Sequence, residues 1–229
     1  VGLVAGTPLP VDGVVLDLAT ANPGEGARLN FAAIAGENLG FGMKGVALTP
    51  ASAGLASFAV YRPDASLLAA GRCFTDDTEC SANLASLPVS GSYSVIVQPA
   101  NGASGTMRVW MSHDVTGTLT SGTPRSVSLA RPGQNARLGF VGVAGASLAI
   151  QIRGITTTPV GQGILAQVNK PDGSLLTYAH VTGSGQTLVL PPLPVTGQYA
   201  LLVEPEPESK GSATAQMEVL LDPGQAIAI

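Results

Sequence analysis

Two cysteines, Cys73 and Cys80, enclose Phe74-Thr75-Asp76-Asp77-Thr78-Glu79 and are the only thiols of the 229-residue chain. Zinc would need further Cys or His beside them, and C-x6-C is not a redox spacing. The pair therefore reads as a disulfide closing a short hairpin loop, with two free thiols as the alternative. A disulfide implies an oxidising compartment. Asp76, Asp77 and Glu79 inside the loop are candidate Ca2+ ligands, set against a plain solvated loop tip. Ca2+ takes about 6–8 oxygens, and one cluster rarely supplies them. No other cofactor is expected.

Catalytic chemistry finds little to stand on. The only histidines are His113 and His180, and neither G-x-S-x-G nor H-E-x-x-H occurs. A base needs a nucleophile and an orienting partner within reach, and the carboxylates are scattered over turns. Gly40-Phe41-Gly42-Met43-Lys44-Gly45 fits G-x-G-x-x-G, but Val46-Ala47-Leu48-Thr49-Pro50 does not begin the helix that a dinucleotide site requires. Leu193-Pro194-Val195-Thr196-Gly197 fits a sortase sorting signal, yet no hydrophobic tail with a basic end follows. It reads as a corner turn into a strand. The chain is expected not to be an enzyme. One pair stands out as a binding or interface candidate: in Met107-Arg108-Val109-Trp110-Met111-Ser112, alternation puts Arg108 and the sole Trp110 on the face opposite the methionines. Against this stands packing of Trp110 on the neighbouring module or on a short insertion near Leu9.

These residues must be positioned by strands. Pro23-Gly24-Glu25-Gly26-Ala27-Arg28-Leu29-Asn30-Phe31 returns as Pro132-Gly133-Gln134-Asn135-Ala136-Arg137-Leu138-Gly139-Phe140, a turn feeding an alternating strand in each case. Asn38–Val46 is matched by Ser147–Ile155, and Leu55–Tyr61 by Gly163–Asn169. Turns at Arg62-Pro63-Asp64-Ala65-Ser66 and Lys170-Pro171-Asp172-Gly173-Ser174 follow. Ala65 in the place of Gly173 is expected to weaken the first turn or change its type. Tyr93 and Tyr199 follow Leu-Pro corners and suit tyrosine corners, with their rings buried. Val1–Pro8 is paired with Gly117–Pro124, His113 with Leu221 and Asp114 with Asp222. No stretch shows a sustained helical period. The chain is expected to be all-β, two tandem antiparallel β-sandwiches of jelly-roll type. Repeat 1 spans 1–114, repeat 2 spans 115–222, and 223–229 starts a third repeat or donates a strand.

The order Pro-Gly-x-x-Ala-Arg-Leu-x-Phe, Ala-Gly, Pro-Asp-Gly-Ser-Leu, Leu-Pro-x-Thr-Gly-x-Tyr resembles the pre-peptidase C-terminal type of β-sandwich. That module is found in tandem in large secreted bacterial proteins and beside Rhs/YD-type repeats. Both copies carry the resemblance over nearly their whole length, more cleanly in 115–222. It implies a jelly-roll-like fold and an adhesive, spacer or substrate-binding role. Some relatives of this kind bind Ca2+ or polymers such as collagen, but no ligand residues of theirs match positions here.

Composition narrows the function classes. Hydrophobic residues make up 45% and charged ones only 11%, with 29 Gly and 17 Pro for many short strands between tight turns. Net charge is −4 and no basic stripe exists, which excludes nucleic acid as an expected partner. No apolar run reaches the ~20 residues of a membrane span, and none looks like a signal peptide, so any export signal is expected to be removed or to lie outside this sequence. The reading is a non-enzymatic structural or adhesive module of an exported bacterial surface protein. Its partners are other copies of itself or neighbouring domains of a longer chain. The apolar ends, with Val1 and Leu3 at one and Ile227 and Ile229 at the other, are candidates for strand exchange into a filament. The alternative is a module that binds carbohydrate or another extracellular polymer, which predicts an exposed aromatic platform.

Overall fold

The computed structural model describes residues 3–183, 185–205 and 214–222, with side chains from residue 6 onward. Contacts group the chain into two units. One holds the residues up to His113 and the segment Arg131–Gln134, the other Asp114–Ala130 and the described chain from Asn135 onward, apart from that grouping. Each unit is a β-sandwich.

In the first unit the strands are β1 (Leu3–Pro8), β2 (Leu16–Thr20), β3 (Gly26–Ala33), β4 (Leu39–Thr49), β5 (Leu55–Tyr61), β6 (Leu67–Phe74), β7 (Glu79–Leu84), β8 (Gly91–Pro99) and β9 (Ser104–His113). They form a five-stranded sheet ordered β1-β3-β8-β5-β6 and a four-stranded sheet ordered β2-β9-β4-β7. The second unit repeats this with β10 (Val115–Thr118), β11 (Arg125–Leu129), β12 (Ala136–Gly142), β13 (Ala149–Thr158), β14 (Ile164–Asn169), β15 (Leu175–Val181), β16 (Gly185–Val189), β17 (Gly197–Pro205) and β18 (Thr214–Asp222). Its sheets are β10-β12-β17-β14-β15 and β11-β18-β13-β16.

Strict alternation builds both cores. In β5, Ala56, Phe58 and Val60 are buried while their neighbours are half-exposed, and β14 does the same with Ile164, Ala166 and Val168. The Phe of each signature strand stacks on the corner tyrosine, Phe31 on Tyr93 at 5.3 Å between ring centroids and Phe140 on Tyr199 at 5.5 Å. Each fully buried side chain of this size contributes about 2 kcal/mol by leaving water, so two separate cores are maintained by aliphatic burial with few aromatics. Pairing is antiparallel except at β1–β3 and β10–β12, which are parallel. There β2 and β11 intervene in the opposite sheet, so the connection is a crossover and not a hairpin.

Three details differ from the sequence reading. The counterpart of β1 is β10, since Val4 faces Ala27 as Val115 faces Ala136, so Val1–Pro8 does not match Gly117–Pro124. Met111 faces Phe41 as Leu221 faces Ile150, and Ser112 faces Gly40 as Asp222 faces Ala149, which displaces the pairings of His113 with Leu221 and Asp114 with Asp222. Finally, the Ala65 turn is of the same type as that of Gly173, so of the two expected outcomes it is the change of type that does not occur. Arg62 N–H donates to Ser66 O at 2.9 Å and Ala65 N–H to Arg62 O at 2.9 Å, as Lys170 and Gly173 do in the second unit. Ser66 N–H and Oγ–H both donate to Asp64 Oδ1, at 2.9 and 2.6 Å, and Ser174 treats Asp172 identically. These bonds hold Ala65 at φ +64°, in the left-handed region that Gly173 occupies at +82°.

Candidate functional site

The outer face of the first four-stranded sheet carries the residues singled out by type. Register places Asp17 opposite Arg108, Arg108 opposite Lys44 and Lys44 opposite Glu79, a charged row across four strands. Burial raises the Glu79 pKa, with the Lys44 charge opposing the shift. In the next row Trp110 faces Gly42. The expected face is right, but Trp110 is not a free platform: it is only 2% exposed. Its Nε1–H donates to Pro132 O at 3.0 Å, and Lys44 Nζ sits 5.6 Å from the ring centroid. The glycine-rich stretch accounts for this seating. A Cβ at Gly42 would run into the indole, and one at Gly40 into the Gly133 carbonyl. Gly133 itself has φ +79°, and a Cβ there would come within 2.7 Å of Phe41 O. Gly45, at φ +63°, marks a bulge in β4. The G-x-G-x-x-G pattern thus lies within one strand and serves packing. Arg108 stays exposed and lines a concavity of about 350 Å³ with Asp17, Thr106 and Gly45.

The disulfide Cys73–Cys80 is present, its Cα atoms 5.6 Å apart. It does not close a hairpin. β6 belongs to the five-stranded sheet and β7 to the four-stranded one, so the loop is an arch across the sandwich and the bond ties the two layers. Asp77 Oδ2 accepts from Phe74 N–H at 2.7 Å and lies 3.3 Å from Cys80 Sγ. Cys73, Asp77 and Cys80 are the group of metal-capable side chains that converges among the described residues. With both sulfurs oxidised it offers one carboxylate, and Asp76 and Glu79 stand outside it.

The corners behave as tyrosine corners. Tyr93 Oη–H donates to Val89 O and Tyr199 Oη–H to Val195 O, both at 2.7 Å. Within the two Leu-Pro stretches, Ser90 Oγ accepts from Ala35 N–H and Thr196 Oγ1 from Ala144 N–H, each at 2.9 Å. Leu193-Pro194-Val195-Thr196-Gly197 is therefore a structural corner. His113 and His180 fall in different units, both exposed, with His180 edge-on to Tyr178 at 5.8 Å. Tyr178 is the well-exposed tyrosine of the described residues, at 55%. Sequence reading passed over one ion pair: Arg137 Nε lies 2.8 Å from Asp114 Oδ2, whose carboxylate is fully buried and also accepts from Asn135 N–H at 3.1 Å. Asp114, the last residue of the expected first repeat, belongs to the second unit, and the Arg that recurs as Arg28 and Arg137 is the sequence signal of its partner.

Of the strand-exchange candidates, Leu3 lies in β1, an edge strand bonded to β3. Val1, Ile227 and Ile229, like the whole segment 223–229, lie outside the described residues. No helix among the described residues is long and apolar enough to cross a membrane.

No family model matches the chain, and no curated protein matches it. Several solved structures show a weak likeness. The pre-peptidase C-terminal domain of a Bacillus anthracis collagenase is 13% identical over 48% of this chain and 96% of its own, with a TM-score of 0.34. The CUB1-EGF-CUB2 domain of human MASP-1/3 is 8% identical over 90% of this chain and 99% of its own, at 0.28. The M60 catalytic domain of Clostridium perfringens ZmpB with its CBM51-1 and CBM51-2 domains is 9% identical over 91% and 34%, at 0.27. At these scores the likenesses carry no argument about this chain.

Proposed function

We propose that this chain is a non-enzymatic structural or adhesive element of an exported bacterial surface protein, joined to copies of itself or to neighbouring modules by strand addition. The observation that carries this reading is the open edge of both five-stranded sheets. Among the described residues β6 is bonded only to β5, and β15 only to β14. They run for 8 and 7 residues, carry Arg72 as their one permanently charged side chain, and expose Leu67 and Leu175. Long edges with little charge invite another strand through main-chain hydrogen bonds. The disulfide between the layers suits an oxidising, exported setting. The test is a Leu67→Lys/Leu175→Lys variant beside a chain lacking residues 224–229, sized at several concentrations. Loss of oligomers in either supports strand addition at that edge, and oligomers undiminished in both rule it out.

A second reading, a module that binds an extracellular polymer, is favoured by one observation. The concavity beside Arg108 has a counterpart in the second unit, lined by Ser126, Ser128, Arg153, Gly154, Gln216 and Glu218. The aromatic platform that reading called for reduces to Phe74 and Tyr178, one in each unit, so polar grooves must do the binding.

A further inference from the structure

The outer face of each four-stranded sheet is hollowed at one place, and it is the same place in both modules. The hollow measures about 350 Å³ in the first and about 590 Å³ in the second. Its cause lies in the backbone. The register of β4 against β9 skips between Lys44 and Ala47, and that of β13 against β18 between Arg153 and Thr156. Gly45 and Gly154 stand at the skips with φ +63° and +60°. A bulge with glycine at this position bends the strand and leaves no side chain to fill the bend.

The lining chemistry also recurs, although the residues do not. In the first hollow Arg108 on β9 faces Asp17 on β2. In the second, Glu218 takes the place of Arg108 and Ser126 that of Asp17, while Arg153 on β13 now faces the acid, 4.0 Å away. Each hollow thus keeps one guanidinium beside one carboxylate, with the pair built from different strands. Around the second pair stand hydroxyls of Ser126, Ser128 and Thr156 and the amide of Gln216; Thr106 flanks the first. Arg153 and Glu218 are about half exposed, so their pairing adds little to folding and both remain free to bond a ligand.

We propose that the two hollows are binding sites for a neutral, polyhydroxylated chain, the sugar units of an extracellular polysaccharide. The guanidinium donates to sugar oxygens and the carboxylate accepts from sugar hydroxyls, charge-assisted bonds stronger than neutral ones. An anionic polymer meets the carboxylate and a cationic one meets the guanidinium, while Val127 and Met217 in the floor of the second hollow leave room for the apolar face of a sugar ring. This proposal rests on the polymer-binding reading and names its ligand class and place.

The experiment is an NMR titration of the full, isotope-labelled chain with malto-, cello- and xylohexaose, and with an oligogalacturonate as the charged comparison. Variants are Arg108→Ala/Arg153→Ala, and Ser128→Trp, which fills the second groove from an exposed position. The expected result is saturable shifts of the Gly154, Ser126–Ser128 and Gln216–Glu218 amides with a neutral hexasaccharide. The double variant should weaken them at least tenfold, with the rest of the spectrum unchanged. Saccharide shifts elsewhere, with both hollows silent, overturn the site and leave the polymer-binding reading standing. A preference for the oligogalacturonate overturns the ligand class. Silence with every saccharide overturns both.

Discussion

Ala65→Gly should stabilise the first module. Ala65 sits at φ +64° in a turn fixed by five hydrogen bonds among Arg62, Asp64, Ala65 and Ser66. A non-glycine residue pays about 1–2 kcal/mol for the left-handed region. Glycine removes that strain but adds about 0.4–1 kcal/mol of unfolded-state entropy, leaving a net gain of about 0.7 kcal/mol. With a urea m-value of about 1.5 kcal/mol/M, the unfolding midpoint rises by about 0.5 M. Trp110 is the only tryptophan and is buried in this module, so its fluorescence follows that transition. Gly173→Ala supplies the reverse case. Gly173 has φ +82° and no atom within 4 Å of a new Cβ, so the backbone alone should cost the second module a similar amount, read by circular dichroism. A midpoint for Ala65→Gly that stays put or falls would refute the strain assigned to Ala65.

Other substitutions test the packing and the charges. Gly42→Val drives a side chain into the Trp110 ring, and overpacking of this kind should cost about 2 kcal/mol and shift the tryptophan emission to the red. Asp114→Ala strips a buried carboxylate from Arg137 and the Asn135 N–H; urea unfolding followed by circular dichroism should show a loss of about 3 kcal/mol. The matching Arg28→Ala, at an exposed site, should cost less than about 0.5 kcal/mol. Acid should weaken the fold. N–H bonds from Asn22 and Ala21 lower the Glu25 pKa, and Ser66 and Ser174 lower those of Asp64 and Asp172. Their contributions are full above the ordinary carboxylate range and vanish as pH falls through the folded values. Glu79, raised by burial, runs the other way and favours the fold as it takes up its proton. Urea midpoints measured between about pH 2.5 and 6 should decline below about pH 4, and Asp64→Asn/Asp172→Asn should flatten that decline.

Much of the architecture was legible because it is local. Leu55–Tyr61 is marked by its match in the second copy and forms a strand over those same residues. The Leu-Pro corners predict the bonds that Tyr93 and Tyr199 make. The face of Arg108, Trp110 and Ser112 also followed from alternation. What escaped depends on partners distant in sequence. Leu67–Phe74 shows no alternation and sits on an edge, so its strand character comes from β5 and not from its own pattern. The cysteine loop looked like a hairpin because spacing is blind to which sheet each flank joins. Whether Trp110 is a binding face or is packed stayed open in the sequence, because nothing nearby reports that Pro132 covers it. The sequence rejects a phosphate loop at Gly40 and Gly42 but gives no positive role for them, because that role lies in the indole and the carbonyl that rest on them. The two hollows were invisible until register showed that Gly45 and Gly154 interrupt their ladders at equivalent points.

Strand addition is tested most directly by the size of the purified chain across a wide concentration range, from light scattering and negative-stain electron microscopy. Open edges at β6 and β15 predict a ladder of oligomers that grows with concentration and ends in fibres. A monomer at every concentration would contradict self-assembly.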